Sequence, residues 1–226
     1  MTPPTPQPTR PSQAQLATLR RADERMAALM DVAIPYPGFP LAAQARASHY
    51  ESLAHSIVFQ QLSGRAASTI WSRACGLSDK RGFPRAEELL DLSDDVLREA
   101  GLSRQKVAAL RDLASHVVDH RLDLRNIGRM EDSEIVEHLT AVRGIGDWSA
   151  QMFMIFKLGR LDVMATGDLG LQEGLRRLDG LQVRPTPSEL LDRSEAWAPL
   201  RSVASWYLWR ATELADDAFP QHLASA

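Results

Sequence analysis

Residues 139–168 read LTAVRGIGDWSAQMFMIFKLGRLDVMATGD, and this stretch decides how the rest of the chain is interpreted. Gly144 and Gly146 stand one residue apart between two segments of helical apolar spacing. This pattern predicts a tight hairpin whose backbone enters positive φ or approaches a partner closely. Asp147 can cap the following helix, whose first amides suit an anion such as a phosphate. The alternative is an ordinary structural helix pair.

Asp168 follows a second short loop and begins a further apolar segment of helical spacing. This position places a carboxylate at the start of another helix, at a fixed offset from the hairpin. An aspartate that only caps the helix would have the same sequence signature. At this point the residues leave a functional and a purely structural interpretation open.

The composition limits the classes of protein that the chain can belong to. Its 226 residues are 44% apolar and 24% charged, which is ordinary for a soluble globular protein with one core or two apposed lobes. The single cysteine, Cys75, excludes a disulfide framework and any four-cysteine metal site supplied by this chain, and we expect it to be buried and inert. No apolar run reaches membrane-spanning length, and the N-terminus lacks a secretory signal, so cytoplasm is expected.

The net charge of −3 weighs against a protein that coats DNA through a strongly basic surface. It does not exclude binding at a local site.

The pattern along the chain predicts an all-α fold of about ten helices, with no segment of strand periodicity. Residues 1–11 hold five prolines and predict a disordered tail, and residues 12–226 form the folded domain, with the hairpin at about 134–158. Helices are expected to start near the following residues: Ser12 (running to about Ala33), Ser48, Ser63, Pro84, Ser93, Ser103 (running to about His120), Asp168 (running to Leu178), Pro187 and Pro199.

The hairpin followed by an aspartate resembles the helix-hairpin-helix DNA glycosylases, specifically the alkylation-repair branch called 3-methyladenine DNA glycosylase II. The resemblance covers most of residues 48–215. Its local matches are the segments IVFQQLS (57–63), GLSRQK (101–106) and Arg201–Ser202 to Trp209, together with Trp148. It implies two helical lobes with a central cleft. The N-terminal β-rich domain that some bacterial relatives carry is not expected in this chain. The GLSRQK match is interpreted as architectural.

The resemblance also implies a set of site residues. Leu62 would enter the gap left by an extruded nucleotide, as an apolar wedge between base steps, although a plain core leucine is the alternative. Trp148 and Trp209 would wall a base pocket suited to a cationic alkylated ring. DNA contacts are expected from Gln61, Leu62, Ser63, Gly144, Ile145, Gly146 and Asp147. No cofactor is required, but the carbonyls of Thr140, Val142 and Ile145 stand where relatives can hold Na⁺ or K⁺.

The implied activity is excision of alkylated bases from double-stranded DNA, with Asp168 stabilising the positive charge that develops on the sugar. Relatives that also cut the strand carry a lysine two residues after the second hairpin glycine, where this chain has Trp148, so no lyase activity is expected. Arg143 and Ala165–Thr166 replace residues, prolines among them, that are usual in the family. The expected setting is a monomer in a bacterial cytoplasm, associated with the nucleoid and not with a membrane.

Two other classes of protein remain open on the sequence. One is a non-catalytic DNA-binding protein that keeps the hairpin and in which Asp168 only caps a helix. The other is an all-α metal-dependent hydrolase, because His116 and His120 share a helix face, with Asp112 nearby.

Overall fold

The computed structural model describes residues 8–79 and 82–215, in which thirteen α-helices occur with one isolated β-bridge and no strand. The all-α prediction is confirmed, and the helix number exceeds the expected ten because one long predicted helix is divided into α1 and α2 and the short α3 was not predicted. The helices are α1 (Gln13–Ala22), α2 (Glu24–Val32), α3 (Ala42–Arg46), α4 (His49–Phe59), α5 (Gly64–Cys75), α6 (Ala86–Asp91), α7 (Asp94–Glu99), α8 (Arg104–Val118), α9 (Asp132–Thr140), α10 (Asp147–Phe156), α11 (Leu169–Asp179), α12 (Pro187–Ser194) and α13 (Arg201–Ala211).

The chain forms two compact units, in agreement with the predicted two lobes. The first consists of the described parts of residues 1–42 and 154–226, and the second of those of residues 43–153. In the first unit α11 packs against α13, and both contact α2. In the second unit α8 packs against α4, α6 and α7.

The helix predicted from Ser12 to about Ala33 is broken at Asp23, which corrects that prediction. Asp23 has extended backbone angles (φ −151°, ψ 105°), and its carboxylate accepts the Met26 amide at 2.9 Å and so caps α2. The same carboxylate accepts the Trp197 indole at 2.7 Å and Arg193 at 2.6 Å. Burial acts to raise the pKa of Asp23, but these hydrogen bonds hold it below its ordinary value. A buried, fully bonded carboxylate therefore replaces a helical turn.

In the second unit, Lys106 ties α8 to the C-terminal end of α4. Its ammonium donates to the carbonyls of Val58 and Gln60, the latter at 2.8 Å. These carbonyls lie at the end of α4, where helical partners are missing, so the lysine supplies them. Desolvation by burial lowers the pKa of Lys106. The GLSRQK segment is thus architectural, as predicted.

Three predictions about the periphery have different outcomes. Residues 1–7 of the predicted tail lie outside the described residues, and in the remainder the Thr9 amide donates to the Phe39 carbonyl at 2.7 Å. Cys75 is half-buried rather than buried, and burial raises the pKa of its thiol. Within the two described ranges, no helix is long and apolar enough to cross a membrane.

Candidate active site

The hairpin between α9 and α10 uses its two glycines differently. Gly144 has φ +82°, and a Cβ there would lie 3.1 Å from the Ala109 Cβ, so both its conformation and its packing favour glycine. Gly146 has no positive φ, and a Cβ there would meet no described atom within 4 Å. Asp147, predicted as a cap, is the exposed first residue of α10. The open space at Gly146 lies at the start of α10, where helix amides point outward.

Side chains from two other segments hold the hairpin backbone in place. The Arg143 amide donates to Asp112 Oδ2 at 2.7 Å, and Gln60 Nε2 donates to the Gly144 carbonyl at 2.9 Å. Within the hairpin, the side chains of Val142 and Ile145 are buried. A proline at position 143 has no N–H to offer, so the departure from the family pattern adds a bond to α8.

The segment between α4 and α5 turns sharply at Gln61, which has φ +56°. Leu62 follows it and is 39% exposed, so the alternative of a core leucine is wrong. Leu62 lies outside α4, which ends at Phe59. Ser63 occupies the N-cap position of α5 but makes no side-chain cap bond.

A cavity of about 520 Å³ in the second unit brings this turn and the hairpin together. Its lining includes Gln61, Leu62, Lys106, Arg143 and Gly144. Three residues that the resemblance assigns to DNA binding or to the hairpin therefore border one depression, namely Gln61, Leu62 and Gly144.

Asp168 lies at the N-cap of α11 and is half-buried. Its Oδ1 accepts the Leu171 amide at 2.8 Å and the Trp209 indole N–H at 3.0 Å. Asp168 is therefore a helix cap, as the structural interpretation expected. The bond from Trp209 is not part of a cap, and it links the carboxylate to a residue predicted for the base pocket.

The loop before Asp168 is anchored by the start of α13. Arg201 forms a two-pronged salt bridge with Asp162, with both nitrogen–oxygen distances at 2.8 Å, and its hydrogen bonds lower the pKa of Asp162. The Ser202 hydroxyl accepts the Val163 amide at 2.9 Å. Gln172 Nε2, on α11, donates to the Thr166 carbonyl at 2.9 Å. The Arg-Ser pair that carries the family resemblance thus positions the loop that presents Asp168.

The two predicted pocket aromatics differ in environment. Trp209, on α13, is half-buried and stacks on Phe156, with ring centroids 5.5 Å apart and an angle of 24° between the planes. Trp148, in the first turn of α10, is 47% exposed.

The metal-hydrolase interpretation is wrong for the described residues, which contain no group of three or more His, Cys, Asp or Glu able to hold a metal ion. His116 is occupied on both nitrogens: Nδ1 lies 2.9 Å from the Asp112 carbonyl, and Nε2 lies 2.9 Å from Arg121. His120 lies beyond the end of α8 with φ +57°. Asp112 instead bonds to the hairpin.

The predicted cation-binding carbonyls all lie in or beside the hairpin. The Val142 carbonyl accepts the Ile145 amide at 3.1 Å, and a carbonyl oxygen has a second lone pair for a further ligand. A monovalent cation at Thr140, Val142 and Ile145 stays a prediction.

Sequence reasoning missed the hydrogen bonds of Gln60 and Asp112 to the hairpin backbone. It also missed the contacts of Phe156 with Trp209 and of Gly170 with the Asp168–Trp209 pair. A Cβ at Gly170 would lie 3.0 Å from Asp168 Oδ1 and 3.1 Å from Trp209 Cδ1. The TGDLG spacing around Asp168 was a signal for Gly170. The bonds of Gln60 and Asp112 span 84 and 31 residues, and no local pattern encodes them.

The chain belongs to the HhH-GPD superfamily of base excision DNA repair proteins, whose family profile it matches over residues 54–199. It is 36% identical over 168 residues to DNA-3-methyladenine glycosylase 1 of Schizosaccharomyces pombe, a match that covers 74% of each chain. The solved structure of a 3-methyladenine DNA glycosylase of Schizosaccharomyces pombe in complex with abasic DNA is 32% identical, with a TM-score of 0.77, over 91% of this chain and 98% of that one. A DNA-3-methyladenine glycosidase of Bacillus halodurans is 37% identical, with a TM-score of 0.76, over 88% of this chain and 89% of that one.

Proposed function

We infer that this protein is a DNA glycosylase that excises alkylated bases from double-stranded DNA. The observation that carries this inference is Asp168, a carboxylate held at the start of α11 by two donors on one oxygen. It occurs in a chain of the base excision repair family whose relatives are named 3-methyladenine glycosylases. A helix cap needs only the bond from the Leu171 amide. The additional bond from the Trp209 indole orients the Asp168 carboxylate, as a group that stabilises a positive charge on the sugar requires.

Base flipping comes first, because a base inside a duplex is inaccessible to a side chain. The exposed Leu62 at the Gln61 turn supports a wedge that fills the vacated space. The open start of α10 at Gly146 supports binding of a backbone phosphate by helix amides. In this proposal the second unit binds the DNA backbone and stabilises the duplex with one base flipped out.

Cleavage then breaks the bond between the sugar C1′ and the base nitrogen, and the bonding electrons leave with the base. The sugar becomes positively charged, and the Asp168 carboxylate stabilises this charge electrostatically. Water adds to C1′ and loses a proton, which leaves an abasic site. A methylated purine already carries positive charge, so it leaves readily, and an aromatic face such as that of Trp209 attracts it.

We further propose that the enzyme does not cut the DNA strand. A lyase needs a lysine amine that reaches the sugar. Trp148 stands at the position where relatives with this activity carry one, Lys106 donates to two carbonyls, and Lys157 is buried. The remaining lysine, Lys80, lies outside the described residues. Borohydride added during turnover is expected to trap no covalent protein–DNA adduct.

Two finer points complete the proposal. The hairpin carbonyls of Thr140, Val142 and Ile145 would hold a monovalent cation, Na⁺ or K⁺, which would supply positive charge for binding a DNA phosphate. The setting we propose is the chromosome in a bacterial cytoplasm, which the single cysteine supports.

The decisive experiment incubates the protein with duplex oligonucleotides that each carry one lesion, such as a methylated purine, and then adds alkali to reveal abasic sites. We expect base release from alkylated purines and strand breaks only after alkali. Tight DNA binding without base release from any lesion would favour the non-catalytic DNA-binding protein. An adduct trapped by borohydride and lost on replacing one lysine would overturn the absence of lyase activity.

A further inference from the structure

The indole of Trp209 is held at two places, which together define its orientation. Its face stacks on Phe156, and its N–H donates to Asp168 Oδ1 at 3.0 Å. An indole has a single N–H, which only donates, so this bond uses its whole hydrogen-bonding capacity. The stack fixes the plane of the ring, and the hydrogen bond fixes the direction of its edge.

Gly170 leaves the space that this hydrogen bond occupies. A Cβ at position 170 would approach both partners of the bond, at 3.0 Å from Asp168 Oδ1 and 3.3 Å from Trp209 Nε1. Real Cβ contacts are seldom this short, so a side chain there would push the two groups apart. A residue other than glycine at position 170 would therefore require Asp168 or Trp209 to shift by a few tenths of an ångström.

Two donors on one oxygen restrict the carboxylate more than capping does. The Leu171 amide alone, at 2.8 Å, would leave the carboxyl group to rotate about the bond that attaches it to the side chain. With the indole N–H on the same oxygen, the carboxylate plane is set, and so is the direction of its second oxygen. Hydrogen bonds to an ionised oxygen are about twice as strong as neutral ones.

We propose that Trp209 is a positioning residue for Asp168, whose indole N–H holds the carboxylate in the orientation that base excision uses. This proposal rests on the proposed function and deepens it. In this proposal the base stacks on the face of Trp209 opposite Phe156, while the indole N–H aligns the carboxylate that stabilises the sugar cation. Excision therefore depends on the N–H of residue 209 as well as on its aromatic ring.

The test compares Trp209→Phe with the wild-type protein on a lesion duplex that the wild type cleaves. Phenylalanine keeps an aromatic face but has no donor. We expect kcat to fall about 10- to 100-fold, the range for loss of one hydrogen bond to a charged group, while KM changes less than about threefold. The matched control is Trp206→Phe, which removes an indole that donates to the Ile34 carbonyl at 2.9 Å, and its kcat should stay within about twofold.

A spectroscopic measurement reports the bond itself. The five tryptophans give five indole N–H resonances, and Trp209→Phe identifies that of residue 209. In Asp168→Ala this resonance should move towards the position of an unbonded indole, while the other four show that the protein remains folded.

The outcomes separate the two proposals. A Trp209→Phe protein with wild-type kcat, or with a raised KM alone, would show that residue 209 only stacks, and would overturn the positioning role. An indole resonance unmoved by Asp168→Ala would overturn it as well. Absence of base release by the wild-type protein would overturn the proposed function, and this role with it.

Discussion

The hairpin and the Asp168 loop are both held by hydrogen bonds from distant residues. At the hairpin these bonds hold backbone atoms, whereas at the loop they hold a side chain. At the hairpin, the side chains of Asp112 and Gln60 bond to backbone atoms, and the proposed functional groups are backbone amides. At the loop, a backbone amide and an indole bond to the side chain of Asp168. Changes in the hairpin should therefore act through backbone conformation, whereas changes at residue 168 should act directly on the chemistry.

The largest expected effect comes from Asp168→Asn. Asparagine caps helices as well as aspartate does, so the free energy of unfolding should change by less than about 1 kcal/mol. Loss of the negative charge should lower the excision rate by about 10²–10³-fold, the size found for removal of one electrostatic stabiliser. Single-turnover kinetics and a denaturant titration measure the two quantities. Near wild-type excision would show that Asp168 only caps α11.

The next effect is on the hairpin backbone and is tested by Gly144→Ala. A left-handed conformation costs a non-glycine residue about 1–2 kcal/mol, and the 3.1 Å approach to Ala109 adds to this cost. Gly146→Ala is the matched control, and its stability should change by less than about 1 kcal/mol. Its affinity for DNA should nevertheless fall, because the new Cβ enters the space proposed for a phosphate. Equal stability of the two variants in a thermal melt would contradict this distinction.

A smaller effect on stability is expected at Leu62. Because its side chain is 39% exposed, Leu62→Ala should cost less than about 1 kcal/mol, whereas Leu53→Ala, at a site 1% exposed, should cost about 2–5 kcal/mol. Excision by Leu62→Ala should still slow, because the flipped state loses its wedge. Urea denaturation and single-turnover rates measure the two effects. If excision is unchanged, Leu62 is not a wedge.

The smallest effect is expected at Arg143, whose exposed side chain lines the cavity beside the hairpin. Arg143→Gln keeps the amide that bonds to Asp112 and removes only the charge. Loss of one phosphate contact should reduce the slope of log Kd against log salt concentration by about one. An unchanged slope would mean that the guanidinium does not meet a phosphate.

The sequence alone was sufficient where a few neighbouring residues decide the backbone. Ser93 and Ser103 cap helices as predicted, because a cap bond joins residues three apart. The same holds for Asp168 and α11, and for the positive φ of Gly144. The exposure of Leu62 was not decided locally, because the sequence left both a wedge and a core leucine open and only the structure places Leu62 beyond the end of α4.

The sequence by itself therefore determined that this chain is all-α and that two glycines form a hairpin. It also determined that Asp168 caps α11. The tertiary structure decided which groups hold these elements. Asp23 breaks a helix because Trp197, 174 residues away, bonds to it, and Trp209 meets Asp168 across 41 residues. The physical reason is range, since caps and turns act between near neighbours, whereas the partner of a buried polar group is set by packing of segments distant in the chain.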